Sequence, residues 1–134
     1  MVEIVHNPIL SDATLQALWA TAWGDTNRNS FQPVLQRSLA YIGAFDGDRL
    51  IGFVNLAWDG GVHAFLLDTC VDPDYRRQGI ATRLVAAARA AATAGGAEWL
   101  HVDYEPHLAG FYTACGFAPT QAGLIRLRLD HDEM

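Results

Sequence analysis

Val2 to His6 is a short run rich in Val and Ile, closed by Asn7-Pro8, and this pattern predicts a strand. From Ser11 the period changes. Leu15, Leu18, Trp19 and Ala22 recur at helical spacing, Ser11 is placed to cap the N-terminus with Asp12 in the first turn, and Gly24 stops the helix. After the polar stretch Asp25 to Asn29, Ser30 is expected to cap a second helix whose Phe31, Val34, Leu35 and Leu39 face inward. Pro33 is tolerable there because it lies in the first turn. Two apolar, aromatic-rich runs follow, Tyr41 to Asp46 and Leu50 to Trp58, joined by the hairpin signal Asp46-Gly47-Asp48. Asp59-Gly60-Gly61 turns the chain into a third run, Ala64 to Val71, which ends at Asp72-Pro73.

Ile80 to Ala94 is the clearest helix, rich in alanine with no internal Gly or Pro, and Gly95-Gly96 stops it. Trp99 to Tyr104 reads as a strand and Leu108 to Ala114 as a short helix ended by Gly116. Gly123 to Leu129 alternates Ile125, Leu127 and Leu129 against Arg126 and Arg128, which predicts a half-exposed strand. Phe117 to Thr120 is a further short candidate, and Asp130 to Met134 an acidic tail expected to fray. The order is βααβββαβαβ, with the extra short strand optional: an α+β fold with a mixed central sheet flanked by helices.

Composition agrees with one folded domain over residues 1–134, since hydrophobic residues make up 51% of the chain and charged residues 18%. The apolar stretches Leu84 to Ala88 and Ala90 to Ala92 are broken by Arg83, Arg89 and Thr93, so no membrane helix is expected. The first residues lack the basic-then-apolar pattern of a secretory signal, and with two cysteines, Cys70 and Cys115, a reducing cytoplasmic setting is expected. The net charge is -6 and every basic residue is Arg. Nucleic acid is an unsuitable partner, because duplex binding needs a basic stripe to replace counterions. The only adjacent basic pair, Arg76-Arg77, suits one small anion better than a polymer.

That pair lies in Val71-Asp72-Pro73-Asp74-Tyr75-Arg76-Arg77-Gln78-Gly79-Ile80-Ala81, which leads from an apolar strand into the best helix. A helix start offers unpaired N–H groups and a partial positive charge, Gly79 permits close approach, and Arg76 and Arg77 add donors for phosphate oxygens. A solvated basic turn is the plainer alternative. Arg76-x-x-Gly79-x-Ala81 after Val-Asp-Pro resembles the acyl-coenzyme-A loop of the GNAT superfamily of N-acetyltransferases. Phe111-Tyr112-Thr113-Ala114-Cys115-Gly116-Phe117 is similar to that family's Phe-Tyr-x-x-x-Gly-Phe element. Order and spacing agree from about Tyr41 to Leu129, whereas the first forty residues match only as two helices in the right place.

The resemblance implies acetyl-CoA as co-substrate, with its pyrophosphate on Arg76, Arg77, Gln78, Gly79, Ile80, Ala81 and Thr82 and its pantetheine arm along the strand edge near Cys70 and Val71. Tyr112 then matches the tyrosine that faces the coenzyme sulfur, where a phenol can protonate a departing thiolate. Elsewhere in the family an Asn commonly stands six residues before that Phe; here the position is Glu105, followed by Pro106.

Transfer needs an uncharged amine, so a base is required, and Asp68, Asp103 and Glu105 are candidates. Asp68 is favoured because it precedes the coenzyme-facing strand end. Trp19, Trp23, Arg28 and Trp58 could line an acceptor pocket, with core packing the alternative for each Trp. A metal reading of His101, Asp103, Glu105 and His107 is spoiled by Pro106, and no metal is expected. A Cys70–His101–Asp103 triad lacks a helix start or nucleophile elbow at Cys70.

The expected partner is therefore a small-molecule or peptide amine, with neither nucleic acid nor membrane, and a homodimer stays open. The expected activity is N-acetyl transfer by direct attack in a ternary complex. A catalytically silent acyl-CoA sensor would keep the loop without needing Tyr112, and a ligand-free interaction domain would leave Arg76 to Gly79 unexplained.

Overall fold

The computed structural model describes residues 1–24 and 30–128. Arg28 and the rest of the 25–29 stretch, and Leu129 with the acidic tail, lie outside the described residues. The chain divides into two compact units, Met1–Val102 and Asp103–Met134.

The first unit is built on a five-stranded sheet of β1 (Val2–His6), β2 (Ala40–Asp46), β3 (Arg49–Trp58), β4 (His63–Val71) and β5 (Trp99–His101), lying in that order. Neighbours from β1 to β4 are antiparallel and β4–β5 is parallel, so the sheet is mixed. Helices α1 (Asp12–Trp23) and α2 (Gln32–Arg37) precede β2, and α3 (Ile80–Ala94) is the crossover a parallel β4–β5 pair requires.

Each helix follows from its sequence. Ser11 accepts a hydrogen bond from the N–H of Thr14, and left-handed Gly24 returns its N–H to Ala20, so α1 is capped at both ends. Ser30, expected to cap α2, stands one residue too early: Phe31 is the N-cap and lends no side-chain bond, while Ser30 Oγ accepts from the N–H of Gln32. Asp12 compensates by accepting from the N–H of Phe31 at 2.8 Å and from Gln32 Nε2 at 3.1 Å, tying the start of α2 to the start of α1. In α3, Ile80, Leu84, Val85, Ala88 and Ala92 are buried at helical spacing.

The sheet is covered on both faces. On one, Trp19 and Phe31 pack with Leu15, Leu18 and Leu35 over Phe53 and Cys70, with the Trp19 ring 5.7 Å from that of Phe53. On the other, Gly52 lets α3 approach: a Cβ there would stand 3.1 Å from Leu84 Cδ1 and 3.2 Å from the Ala44 methyl. Paired Ile42 and Val54 share that face by the pleat and are fully buried.

The second unit holds a 3-10 turn, Pro106–Leu108, and α4, Ala109–Ala114. Two expectations fail here. Neither Phe117–Thr120 nor residues 123–128 form a strand among the described residues, and Leu124, Ile125 and Leu127 are all more than four-fifths exposed. Alternation marks which side of a strand would be buried, but a strand forms only where another edge accepts its hydrogen bonds. Strand β5 is also shorter than expected, ending at His101 rather than Tyr104.

Candidate functional site

Strand β4 carries an irregularity where β5 stops. Phe53 pairs with Cys70 and Asn55 with Leu67, so Asp68 and Thr69 together stand opposite the single residue Val54. The extra residue is absorbed by Asp68 in a left-handed conformation, φ 58°. Asp tolerates this better than most residues because its short carboxylate can bond locally. The last β4–β5 pair is Phe65 with His101, so β4 continues through the bulge to Cys70 and Val71 with no further β5 partner.

The loop after β4 is fixed at its base. Asp72 is buried, its Oδ2 accepts from the Arg49 guanidinium at 2.7 Å, and its Oδ1 accepts from the N–H of Asp74 at 2.9 Å. Its own N–H donates to the carbonyl of Ile51. Pro73–Tyr75 then makes one 3-10 turn, and the Tyr75 hydroxyl donates to Asp46 Oδ2. That bond holds the Tyr75 phenol above its ordinary pKa, because ionisation would set two negative oxygens together.

Beyond this base the chain opens. Arg77 at φ 64° and Gly79 at φ 76° are both left-handed, the kind of backbone from which anion-binding nests are built. The N–H of Arg83 is bonded to the carbonyl of Gly79, so those of Ile80, Ala81 and Thr82 have no intrahelical acceptor. A Cβ on Gly79 would meet nothing within 4 Å, so the space before the helix start is open. The Ile80 side chain is buried, leaving only its backbone to the loop, while Arg76, Arg77, Gln78 and Thr82 are exposed. This combination suits a phosphorylated ligand: main-chain donors at a helix N-terminus with two guanidinium groups beside them.

In the second unit, Tyr112 is buried at 7% exposure, stacked on Tyr104 at 4.9 Å and edge-on to Phe111 and Phe117. The spacing of its motif has a local cause. Gly116 at φ 104° follows the C-cap Cys115, its N–H donates to the carbonyl of Thr113, and the N–H of Phe117 donates to that of Tyr112. This is a Schellman motif, and the Phe117–Tyr112 ring contact is its hydrophobic closure.

The acetyltransferase (GNAT) family matches residues 9–117 of the sequence. The chain belongs to the GNAT family. Among solved structures, a GNAT family acetyltransferase from Streptococcus pneumoniae TIGR4 is 26% identical, with a TM-score of 0.82 over 97% of this chain and 100% of that one. A Trypanosoma brucei acetyltransferase is 17% identical, TM-score 0.77, covering 97% and 99%. AAC(6')-Iy in complex with the bisubstrate analogue CoA-S-monomethyl-acetylneamine is 20% identical, TM-score 0.76, covering 97% and 99%. At these last two identities the likeness is one of fold. No curated protein matches the chain.

Within this GNAT domain the structure sorts the residues expected from sequence. Asp68, Cys70 and Val71 lie at the bulge and at the end of β4, and Arg76 to Thr82 form the open loop and helix start. Burial pushes the Cys70 thiol up to about 12, with the Asp68 charge adding to it, so only its backbone edge is available for binding and it is no nucleophile. Trp19 belongs to the core, whereas Trp23 and Trp58 keep exposed surface. No group of three or more metal-ligating side chains comes together among the described residues. Sequence reasoning missed His63. Its Nδ1 lies 2.8 Å from His101 Nε2, a contact made by the β4–β5 register and signalled by nothing local.

Proposed function

We propose that this GNAT domain transfers the acetyl group of acetyl-CoA to a primary amine of a small molecule or peptide, by direct attack within a ternary complex. The observation that carries this reading is the loop from Asp72 to Thr82, with two left-handed residues, three helix-start N–H groups and two exposed arginines around open space. When bound, acetyl-CoA supplies an activated acyl group on a thiol leaving group. The loop's N–H groups and Arg76 and Arg77 hold the pyrophosphate, Gln78 and Thr82 adding polar contacts, and the free edge of β4 at Cys70 and Val71 pairs with the amide-bearing arm. Tyr112 gives the departing thiolate its proton and recovers one from the nitrogen that has attacked the acyl carbon. Asp68 provides a carboxylate beside the bulge that attracts the ammonium form of the acceptor. A similar fold holding an analogue that joins CoA to an amine supports this class of acceptor.

A screen of amines should therefore show acceptor-dependent release of free thiol from acetyl-CoA; the set would include an aminoglycoside, an amino sugar phosphate, a polyamine, an arylalkylamine and a peptide N-terminus. Binding of acetyl-CoA without turnover of any amine would favour a silent acyl-CoA sensor. Absence of both would refute the reading.

A further inference from the structure

One pair of titratable side chains takes no part in the roles above. His63 begins β4 and His101 ends β5, and parallel pairing of His63 with Trp99 and Phe65 with His101 puts both imidazoles on one face of adjacent strands. His63 Nδ1 and His101 Nε2 are 2.8 Å apart, a hydrogen bond, so one hydrogen lies between them. The His101 ring is held flat on Phe65, with centroids 4.7 Å apart and planes 21° off parallel. Neither outer nitrogen, His101 Nδ1 or His63 Nε2, has a hydrogen-bond partner among the described residues.

We propose that His101 takes the proton of the acceptor amine and that His63 passes it to solvent. This rests on the acetyl-transfer reading. In either tautomer the neutral pair presents one outer nitrogen that accepts and one that donates. A proton taken at His101 Nδ1 lets the shared hydrogen move to His63 Nδ1, and His63 then gives up the proton on its Nε2. The pair regains a neutral state with the shared hydrogen displaced, and rotation or solvent exchange resets it.

The balance is complete. An ammonium acceptor loses one proton to His101; its nitrogen forms the C–N bond as the C–S bond breaks; the second nitrogen proton replaces the one that the thiolate receives. One proton leaves for water through His63.

Position favours His101 for this task. It is the C-terminal residue of β5, at the fork where the parallel pair β4–β5 separates, and in open α/β sheets ligands bind outside the carboxyl ends of the strands. On the neighbouring strand Asp68 follows its partner Phe65 by three residues, so the carboxylate that draws the ammonium belongs to the same end of β4. Imidazole changes charge nearest neutral pH of the ordinary side chains, which suits it to give and take a proton in turn. Asp59 stabilises the transient charge at His63: its Oδ1 accepts from the backbone N–H groups of Gly61 at 2.7 Å and His63 at 3.3 Å, and its carboxyl is held low by these bonds and by His63 itself.

The test combines spectroscopy with kinetics. In protein labelled with nitrogen-15 histidine, a nitrogen–nitrogen coupling across the hydrogen bond should be present and should vanish in His63→Ala and in His101→Ala. With the fastest amine of the screen, His101→Ala should lower kcat by about 100-fold or more, leave the Kd for acetyl-CoA unchanged, and recover rate on addition of free imidazole. His63→Gln, which keeps a donor and an acceptor but carries no extra proton, should lower kcat without raising the KM for the amine. Absence of the coupling overturns the proposal. So does a wild-type rate in His101→Ala, or a loss that imidazole does not restore. No turnover by the wild-type protein with any amine would instead remove the acetyl-transfer reading on which the relay rests.

Discussion

Removing Arg49 should damage the protein more than its exposure suggests, because its partner is the buried carboxylate that anchors the loop. The Arg49 side chain is 58% exposed and that of Asp72 2%, with 2.7 Å between Nη2 and Oδ2. Breaking a buried pair by deleting one partner costs about 3–5 kcal/mol when the other charge is stranded. Here the exposure of Arg49 means water can enter in its place and the Asp74 N–H remains, so about 2 kcal/mol is the better figure for Arg49→Ala. Asp72→Ala strands no buried charge, since Arg49 can turn to solvent; its cost is two hydrogen bonds to a carboxylate offset by a burial penalty no longer incurred, about 1–2 kcal/mol. The double variant should cost little more than Asp72→Ala alone. For a chain of this size 1 kcal/mol moves Tm by about 4 °C, so Arg49→Ala should fall by about 8 °C. Urea and thermal unfolding of the four proteins, followed by circular dichroism, gives the complete cycle. Additive losses, or an Arg49→Ala variant within about 0.5 kcal/mol of wild type, would refute the claim that this pair holds the loop.

Tyr112→Phe keeps the ring packing and removes the hydroxyl, so coenzyme Kd should hold while kcat falls by about 100- to 10,000-fold; a wild-type rate would take Tyr112 out of the mechanism. Gly79→Ala has room for its methyl but not the conformation, since left-handed backbone costs an L-residue about 1–2 kcal/mol, and calorimetry should find weaker acetyl-CoA binding than in wild type. Cys70 should resist a thiol reagent at pH 8 in the folded protein and react on unfolding. Because its native thiol stays protonated to about 12 while the unfolded one ionises near 9, it adds stability that is complete below pH 9 and is lost as pH rises toward 12. Asp12 and Asp59 act in the opposite direction: both carboxyls are held low in the fold, chiefly by the N–H of Phe31 and of Gly61, so their stabilisation is present above the ordinary carboxylate range and is lost on acidification.

What could be read from the sequence was mostly local. Helix α1 begins after Ser11 and ends at Gly24 because one oxygen and one left-handed glycine satisfy its orphan groups, and both signals are one residue long. The Gly116 of the Tyr112 motif is legible for the same reason. The loop from Arg76 to Ala81 could be located as a basic, glycine-containing helix start, but its anchors could not: Arg49 and Asp46 meet Asp72 and Tyr75 across 23 and 29 residues of chain. The bulge was hidden too, since nothing in Leu67-Asp68-Thr69-Cys70 announces a left-handed Asp. The alternating residues at 123–128 gave the opposite error. Their pattern satisfies the strand period, but pattern alone provides no edge to bond with.

Calorimetric titration of the folded protein with acetyl-CoA tests the central claim most directly, with Arg76→Ala and Gly79→Ala measured beside it. The loop geometry predicts one molecule bound per chain, weaker binding in both variants, and a contribution from Arg76 that shrinks as salt is raised. No heat of binding at millimolar acetyl-CoA, or equal affinity in all three proteins, would contradict it.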